Sequence, residues 1–378
     1  MRIVIDGRGM NWPGIGRYID RLLGELANLD DQNEYIVLVR EDDPDAWVPP
    51  GPNFTARVAD FRPYRWAEQV VLRRELHELA PDLVHFTHFN MPWAYSGAFV
   101  LTVYDLTMLR FASHCDTSLS RRVGHGAKRA LARSWMAHGA RRATRVTTLS
   151  QHTADDLSRA FDVRPERIRV TYAGTDSPTG AGEAVPAVEG GPPFLLYVGS
   201  SFPHKNLATL LAAMELLGPE NELRLVLAGP QDECAEVFRR RAEASTVGPR
   251  VVFAGRVDDH QLTWLYRNAS VLVQPSLAEG FGLTGVEAMA HGLPVVAARA
   301  SCLPEIYGEA ASYFDPLDPG ALAGAIRTVL RDPARRSALA SAGTQRVKRY
   351  SWRATAAATL QCYREAVERR AEVAPPCG

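Results

Sequence analysis

The chain has 378 residues, 46% of them hydrophobic, and its 43 Lys plus Arg balance 43 Asp plus Glu. Such a length and apolar content predict two domains, each with its own core. A formal net charge of zero excludes a global pull toward nucleic acid, so no nucleic-acid partner is expected and only local charged patches remain.

The chain begins with a strand-like run, Arg2-Ile-Val-Ile-Asp6, which lacks the charged and long apolar regions of a signal peptide. No apolar run approaches the roughly 20 residues that span a bilayer. Cys115, Cys234, Cys302, Cys362 and Cys377 are scattered, so neither a disulfide framework nor a zinc site is expected. A cytoplasmic protein is the expectation.

Short buried-type strands alternate with helical stretches along the whole chain. The first half predicts strands at Ile3–Asp6, Tyr35–Val39, Leu83–Phe86, Phe99–Val103, Arg145–Leu149 and Ile168–Tyr172. The second half predicts them at Phe194–Val198, Leu223–Leu227, Val251–Ala254, Val271–Gln274 and Val295–Ala297. Non-alternating strands separated by helices such as Leu207–Leu217 imply parallel sheets covered on both faces. The stretch Ser177 to Pro193 is rich in Pro, Gly, Ala and Glu and reads as a linker or exposed loop. The expected division is a first domain over 1–180, a second over 190–351, and a terminal helix over about 352–370.

Gly14-Ile-Gly-Arg-Tyr18 follows the first strand and opens a helix. No third glycine completes a dinucleotide fingerprint, which counts against NAD or FAD. Tyr197-Val-Gly-Ser-Ser-Phe-Pro-His-Lys-Asn206 is a strand, a loop and a helix start, where Asn206 has the right side chain for a cap. Taken alone, Lys205 is a surface charge.

Val271-Leu-Val-Gln-Pro-Ser276 leads into Glu279-Gly-Phe-Gly-Leu-Thr-Gly-Val-Glu287. This reads as a strand ending at proline, a glycine loop, and a helix from about Thr284 to His291, with Gly292 beyond its end. The helix N-terminus then lies at the carboxyl edge of a parallel sheet, where ligands bind and where free N–H groups suit a diphosphate. Thr284-x-x-Glu287 is also a capping box, and Glu279 alone is equally a solvated loop carboxylate. Two glutamates bracketing Gly-Phe-Gly are less easily explained by chance.

This segment resembles the two-glutamate motif of glycosyltransferase family 4, retaining enzymes of the GT-B fold. The resemblance covers nearly the whole chain and is strongest from Tyr197 onward. It implies two Rossmann-like parallel-sheet domains facing across a cleft, with acceptor in the first, donor in the second, and the last helix returning to the first. Glu279 would contact the transferred sugar and Glu287 the ribose hydroxyls. Backbone N–H groups of Phe281, Gly282, Leu283 and Thr284 would hold sugar and diphosphate. Lys205 and His204, after Gly199, would match the basic pair that neutralises the diphosphate. Ser200 stands where many members have arginine.

In the first domain the resemblance gives Gly16 a backbone contact to the donor phosphates. Arg17 is structural or faces the acceptor. Tyr104-Asp105 occupies the family's usual His-Asp position: Tyr104 lies on the sugar or acceptor side, and Asp105 is either catalytic or a turn cap. Ser150 lies on the acceptor-domain floor, and Val257 sits where the family's nucleotide base meets the chain.

The implied reaction is transfer of a hexose from a nucleoside-diphosphate sugar to a hydroxyl acceptor (glycan, lipid-linked or small molecule), with retention of configuration. The Pro-His-Lys-Asn and Gly-Ile-Gly-Arg-Tyr spellings lean toward mannosyl- or rhamnosyl-type members. No covalent nucleophile stands out. No cofactor beyond the nucleotide-sugar co-substrate is expected, and no metal, because a helix dipole and Lys205 can neutralise phosphate. Asp43-Pro-Asp45 spells a metal-binding pair but sits in a proline-rich turn. His85 and His88 read as acceptor-cleft or core histidines, and Trp12, Tyr64, Trp66, Phe89, Trp93 and Tyr104 as core or sugar-stacking residues.

From Thr117 to Ala154 there is no Asp or Glu, while Arg121, Arg122, Lys128, Arg129, Arg133, Arg141, Arg142 and Arg145 make the stretch basic. It reads as a solvated helical face, or as a peripheral contact with the anionic inner membrane face. A sugar-nucleotide epimerase on the same fold, or a non-catalytic sugar-nucleotide-binding protein, are the alternative functions.

Overall fold

The computed structural model describes residues 1–12, 14–40, 47–59, 68–111, 115, 119–176, 180–218 and 222–373. In chain order these form β1 (Arg2–Asp6), α1 (Ile15–Leu29), β2 (Glu34–Val39), β3 (Phe54–Val58), a π-helical turn at Glu68–Leu72, α2 (Arg73–Leu79), β4 (Leu83–Phe86) and β5 (Phe99–Thr102). Next come α3 (Thr107–Arg110), α4 (Leu119–Arg142), β6 (Arg145–Thr148), α5 (Gln151–Phe161) and β7 (Ile168–Val170). The second half runs β8 (Phe194–Val198), α6 (Leu207–Leu217), β9 (Arg224–Ala228), α7 (Glu233–Glu243), β10 (Val251–Gly255), α8 (Asp259–Asn268), β11 (Val271–Gln274) and α9 (Leu283–Ala290). It ends with β12 (Val295–Ala298), α10 (Leu303–Tyr307), β13 (Ala311–Phe314), α11 (Pro319–Arg331), α12 (Pro333–Arg346) and α13 (Trp352–Val373).

The strands form two parallel sheets, seven-stranded in the order β3-β2-β1-β4-β5-β6-β7 and six-stranded in the order β10-β9-β8-β11-β12-β13. Both are Rossmann-like. Their central strands are buried on both faces: β4, β5, β11 and β12 have no exposed residue, as helix-covered parallel sheets require. The two strands absent from the sequence reading, β3 and β13, are both sheet edges. Phe54-Thr-Ala-Arg-Val58 buries only Phe54, so it carries no continuous apolar signal.

The chain divides into two compact units. One is Met1–Leu106 with Gly126–Gly174 and Ser351–Gly378; the other is Thr107–His125 with Thr175–Tyr350. The expected first domain ran unbroken over 1–180, whereas contacts group Thr107–His125 with the second unit. Within the first unit α13 lies against α1. It buries Thr355, Thr359, Cys362, Tyr363 and Ala366, with Thr355 donating to the Tyr172 carbonyl at 2.6 Å.

The expected linker is partly packed. Val185 and Val188 are buried, Glu183 N–H donates to the His260 carbonyl at 3.1 Å, and a side chain on Gly182 would collide with Trp264. Residues 177–179 lie outside the described set. Cysteine pairing also departs from expectation: Cys115 and Cys234 form a disulfide within the second unit, while Cys302 and Cys362 are buried thiols. Spacing 119 residues apart gives no local signal of that pairing. No described helix is long and apolar enough to cross a membrane.

Candidate active site

Each sheet reverses its strand order once, between β1 and β4 and between β8 and β11. In doubly wound sheets ligands bind outside the carboxyl ends at that reversal. The Lys205 loop follows β8 and the Glu279 loop follows β11, so both emerge at the reversal of the second sheet.

There the Lys205 ammonium lies 2.7 Å from Glu279 Oε1, and both side chains are largely buried, 20% and 13% exposed. Gln274, the last residue of β11, donates to the same carboxylate oxygen at 3.2 Å. Burial pushes the Glu279 carboxyl up, but the Lys205 charge and hydrogen bond outweigh it and hold the group below the usual carboxylate range. Glu279 is therefore a fixed anion and an oriented acceptor.

The loops are tied to one another. The His204 carbonyl accepts from Leu277 N–H at 2.7 Å. Asn206 does not cap α6 with its side chain, contrary to expectation: it has left-handed backbone geometry, and its amide donates to the Pro275 and Pro316 carbonyls at 3.1 and 2.8 Å. Burial, then the neighbouring Lys205 charge, brings the His204 imidazole down to about 4, so His204 is neutral near pH 7. The expected basic pair thus contributes one charge, that of Lys205.

Glycine makes the edge accessible. Gly199, just beyond β8, lies in the positive-φ region, and a side chain on Gly229 would strike the Gly199 carbonyl. Gly282, also at positive φ, is the N-cap of α9 and has no side-chain cap bond. A Cβ there would lie 2.4 Å from the Tyr307 hydroxyl, which donates to the Gly282 carbonyl at 2.6 Å. Leu283 and Thr284 lie in the first turn of α9, whose N–H groups lack intrahelical acceptors and form the positive end of the helix dipole. Phe281 is buried and stands edge-on to Tyr350.

This geometry removes the capping-box reading of Glu287. The helix starts at Leu283, which puts Thr284 inside it, and Glu287 Oε2 instead accepts from the Tyr266 hydroxyl at 2.9 Å. Val257 is half-buried just beyond β10. The supports of these side chains were not legible in sequence. Ser301, a non-glycine at positive φ, accepts from Glu279 N–H and donates to its carbonyl at 3.2 and 2.8 Å. Ser301, Gln274, Tyr266 and Tyr307 carry no motif; only folding brings them to the loop.

The first unit places the remaining expected residues separately. Gly16 is buried against the Met10 backbone, where a Cβ would overlap the carbonyl. Its N–H donates to Trp12 O at 2.7 Å, so that group is already engaged and the glycine is needed for close packing. Arg17 is half-buried on α1 and Asp105 half-buried after β5. Tyr104 packs edge-on to Tyr18 at 5.4 Å, and burial raises its phenol well above the usual value; it does not reproduce an imidazole. Ser150 is fully buried and caps α5 by accepting from Thr153 N–H at 3.2 Å.

His85 is a core residue, held between Tyr363 and Thr102 at 2.6 and 2.7 Å and brought by burial to about 3. His88, brought by burial to about 4, is edge-on to Trp12. A buried ionic cluster was missed: Arg8 bonds Asp6 and Glu68, each contact 2.7 Å at Nη2, and Asn90 donates to Glu68 at 2.8 Å. Asp43, Asp45, Tyr64 and Trp66 lie outside the described residues. Among the described residues no group of three or more His, Cys, Asp or Glu could hold a metal ion.

A cavity of about 650 Å³ lies in the first unit instead, lined by Gln69, Arg73, His77 and Tyr95 among others. It lacks the buried charge pair and glycine-lined helix start of the Lys205–Glu279 edge, which is the candidate site.

Residues 12–177 match the family described as Glycosyltransferase Family 4, and residues 183–346 match Glycosyl transferases group 1. O-antigen chain mannosyltransferase B of Escherichia coli is 31% identical over 58% of this chain and 60% of its own length. The MMP alpha-(1->4)-mannosyltransferase of Mycolicibacterium hassiacum is 31% identical over 61% of this chain and 56% of its own. The chain thus spans less than two thirds of the length of these relatives. Among solved structures, sucrose-phosphate synthase from Thermosynechococcus elongatus superimposes with a TM-score of 0.78 at 22% identity, covering 98% of this chain and 100% of that one. HepE of Anabaena, solved with UDP and glucose, gives 0.68 at 17%, covering 98% and 100%. At these identities the likeness concerns the fold. With both halves of the chain matched and two doubly wound sheets of this order, the chain belongs to the group 1 glycosyltransferases of family 4, with the GT-B fold.

Proposed function

We propose that the protein transfers a hexose, of mannosyl or rhamnosyl type, from a nucleoside-diphosphate sugar to a hydroxyl acceptor with retention of configuration. The observation that carries this reading is the Lys205–Glu279 pair beside the N-terminus of α9. The second unit takes the donor and the first takes the acceptor. Two of the curated relatives are mannosyltransferases by name, which supports the sugar class.

In this reading the diphosphate sits against the first turn of α9, with its charge met by Lys205 and by the N–H groups of Leu283 and Thr284. As the glycosidic bond to the leaving phosphate stretches, negative charge grows on the phosphate oxygens, where a preorganised cation and helix dipole act most strongly. Glu279 accepts from sugar hydroxyls and orients the ring, and Glu287 accepts from the ribose. Attack by the acceptor hydroxyl on the same face as the departing phosphate lets that phosphate take the proton. Lys205 supplies the neutralisation that a metal provides in other transferases, so activity is expected to survive chelator.

The protein is proposed to act on the cytoplasmic side, where the exposed Lys128, Arg129 and Arg133 of α4 suit an anionic membrane surface. Thermal-shift screening against UDP-, GDP-, dTDP- and ADP-sugars tests the reading: one donor class should stabilise the fold, and NMR of the product should show the donor's anomeric configuration. Absence of stabilisation by every donor, or an inverted product, overturns it.

A further inference from the structure

A second charged site lies in the first unit, away from the loops discussed above. At the amino-terminal ends of β5 and β6, a cavity of about 380 Å³ is lined by Arg141, Arg142, Arg164, Arg167 and Arg369, with backbone from Ala98 to Phe99 and Ala143 to Thr144. The arginines come from the end of α4, the segment before β7, and α13, so only the tertiary fold assembles them. The Gly16 and Tyr104 loops lie at the opposite, carboxyl-terminal edge of this sheet, about a strand length or ~13 Å away.

Three of the five guanidiniums are anchored by carbonyls. Arg141 donates to Phe161 O at 2.8 Å, Arg142 to Tyr95 O at 3.4 Å, and Arg167 to Ala143 O. Carbonyl anchoring fixes position without cancelling charge. Among the described residues no carboxylate lines the cavity. Among the described residues only Arg164 has an acid within 4 Å, Glu166 at 3.8 Å, and the nearby Glu365 is occupied by Arg145 and Arg169 at 3.2 and 2.5 Å. Burial, then the charges of Arg369, Arg164 and Arg145, holds the Arg167 guanidinium below its usual value, as expected where positive charge is not compensated.

We propose that this arginine-lined cavity binds a phosphorylated anion. Guanidinium forks match phosphate oxygens bidentately, and several converging on one concave site leave a deficit of negative charge that a phosphate or phosphate ester fills. The same chemistry is offered by a soluble phosphate compound and by the headgroup of an anionic lipid. The proposal is independent of the donor-site reading.

The test uses the full chain in a Lys205→Ala background, which weakens the donor edge for pyrophosphate. Calorimetric titration with inorganic pyrophosphate and sedimentation with phosphatidic acid or phosphatidylcholine vesicles are compared before and after adding Arg164→Gln with Arg369→Gln. Among the described residues neither of those arginines has a carbonyl anchor, so the fold should hold; Arg141→Gln with Arg142→Gln is the second variant if it does not. Pyrophosphate binding weakened by about tenfold assigns a soluble phosphate. Sedimentation lost only with phosphatidic acid vesicles, and only in the variants, assigns a lipid headgroup. Unchanged behaviour in both arms for both variants overturns the proposal.

Discussion

Lys205 Nζ and Glu279 Oε1 are 2.7 Å apart although 74 positions separate them in the chain. The contact exists because β8 and β11 are neighbours at the strand-order reversal, so that the loops following them open side by side. On the proposed reading, removing Lys205 takes the cation from the growing phosphate charge, and removing Glu279 takes away the sugar-orienting acceptor. Lys205→Ala and Glu279→Ala are each expected to lower kcat by about a hundredfold or more. Turnover measured on protein with unchanged circular dichroism checks this, and near-normal rates in either variant refute the assignment.

The same pair sets a pH dependence. The folded carboxyl of Glu279 is held below its ordinary value, so its contribution to stability is present above the unfolded carboxylate value and is lost as pH falls through the lower folded one. In Lys205→Ala the largest opposing charge is gone, so burial, which favours the neutral acid, is opposed only by smaller influences such as the Gln274 hydrogen bond. The Tm deficit of that variant against the parent should be largest near pH 7 and shrink as pH falls into the carboxylate range. A deficit that is constant from pH 7 to pH 4 contradicts this account.

Gly282 is constrained twice: its φ is 84°, and a Cβ would lie 2.4 Å from the buried Tyr307 hydroxyl. Gly282→Ala should cost about 1–3 kcal/mol in urea unfolding and misplace the first turn of α9. Donor affinity should fall with it. Gly292, at positive φ but with open space around it, carries only the backbone penalty, so Gly292→Ala should cost less and spare donor affinity.

Tyr266 positions Glu287 through a 2.9 Å hydrogen bond. Tyr266→Phe keeps the ring and deletes the bond, a loss of about 0.5–1.5 kcal/mol. On the proposed reading this raises the donor KM severalfold with kcat little changed, because the ribose is bound alike before and during reaction. A fall in kcat at constant KM would instead place Glu287 in the chemical step.

The Cys115–Cys234 disulfide closes a long stretch of chain. Reduction should lower Tm by an amount corresponding to about 2–4 kcal/mol, and peptide mapping under non-reducing conditions should recover the linked pair.

Sequence alone determined the parts of this protein that depend on local pattern. Helix α6 falls at Leu207–Leu217 and β11 at Val271–Gln274 as read, because buried parallel strands are continuous apolar runs and helices repeat every 3.6 residues. The strand-end loops that carry Lys205 and Glu279 were legible as short motifs, whereas the roles of those two residues came only from the family resemblance. Tertiary structure decided the rest. Edge strands such as β3, buried on one residue only, carry no such run. Whether Glu287 caps its helix or faces Tyr266 depended on where the helix starts, and Gly282 settles that only once Tyr307 is packed against it. The neutral state of His204, the engaged N–H of Gly16 and the five-arginine cavity arise from burial and from residues far apart in sequence, quantities that no local window contains.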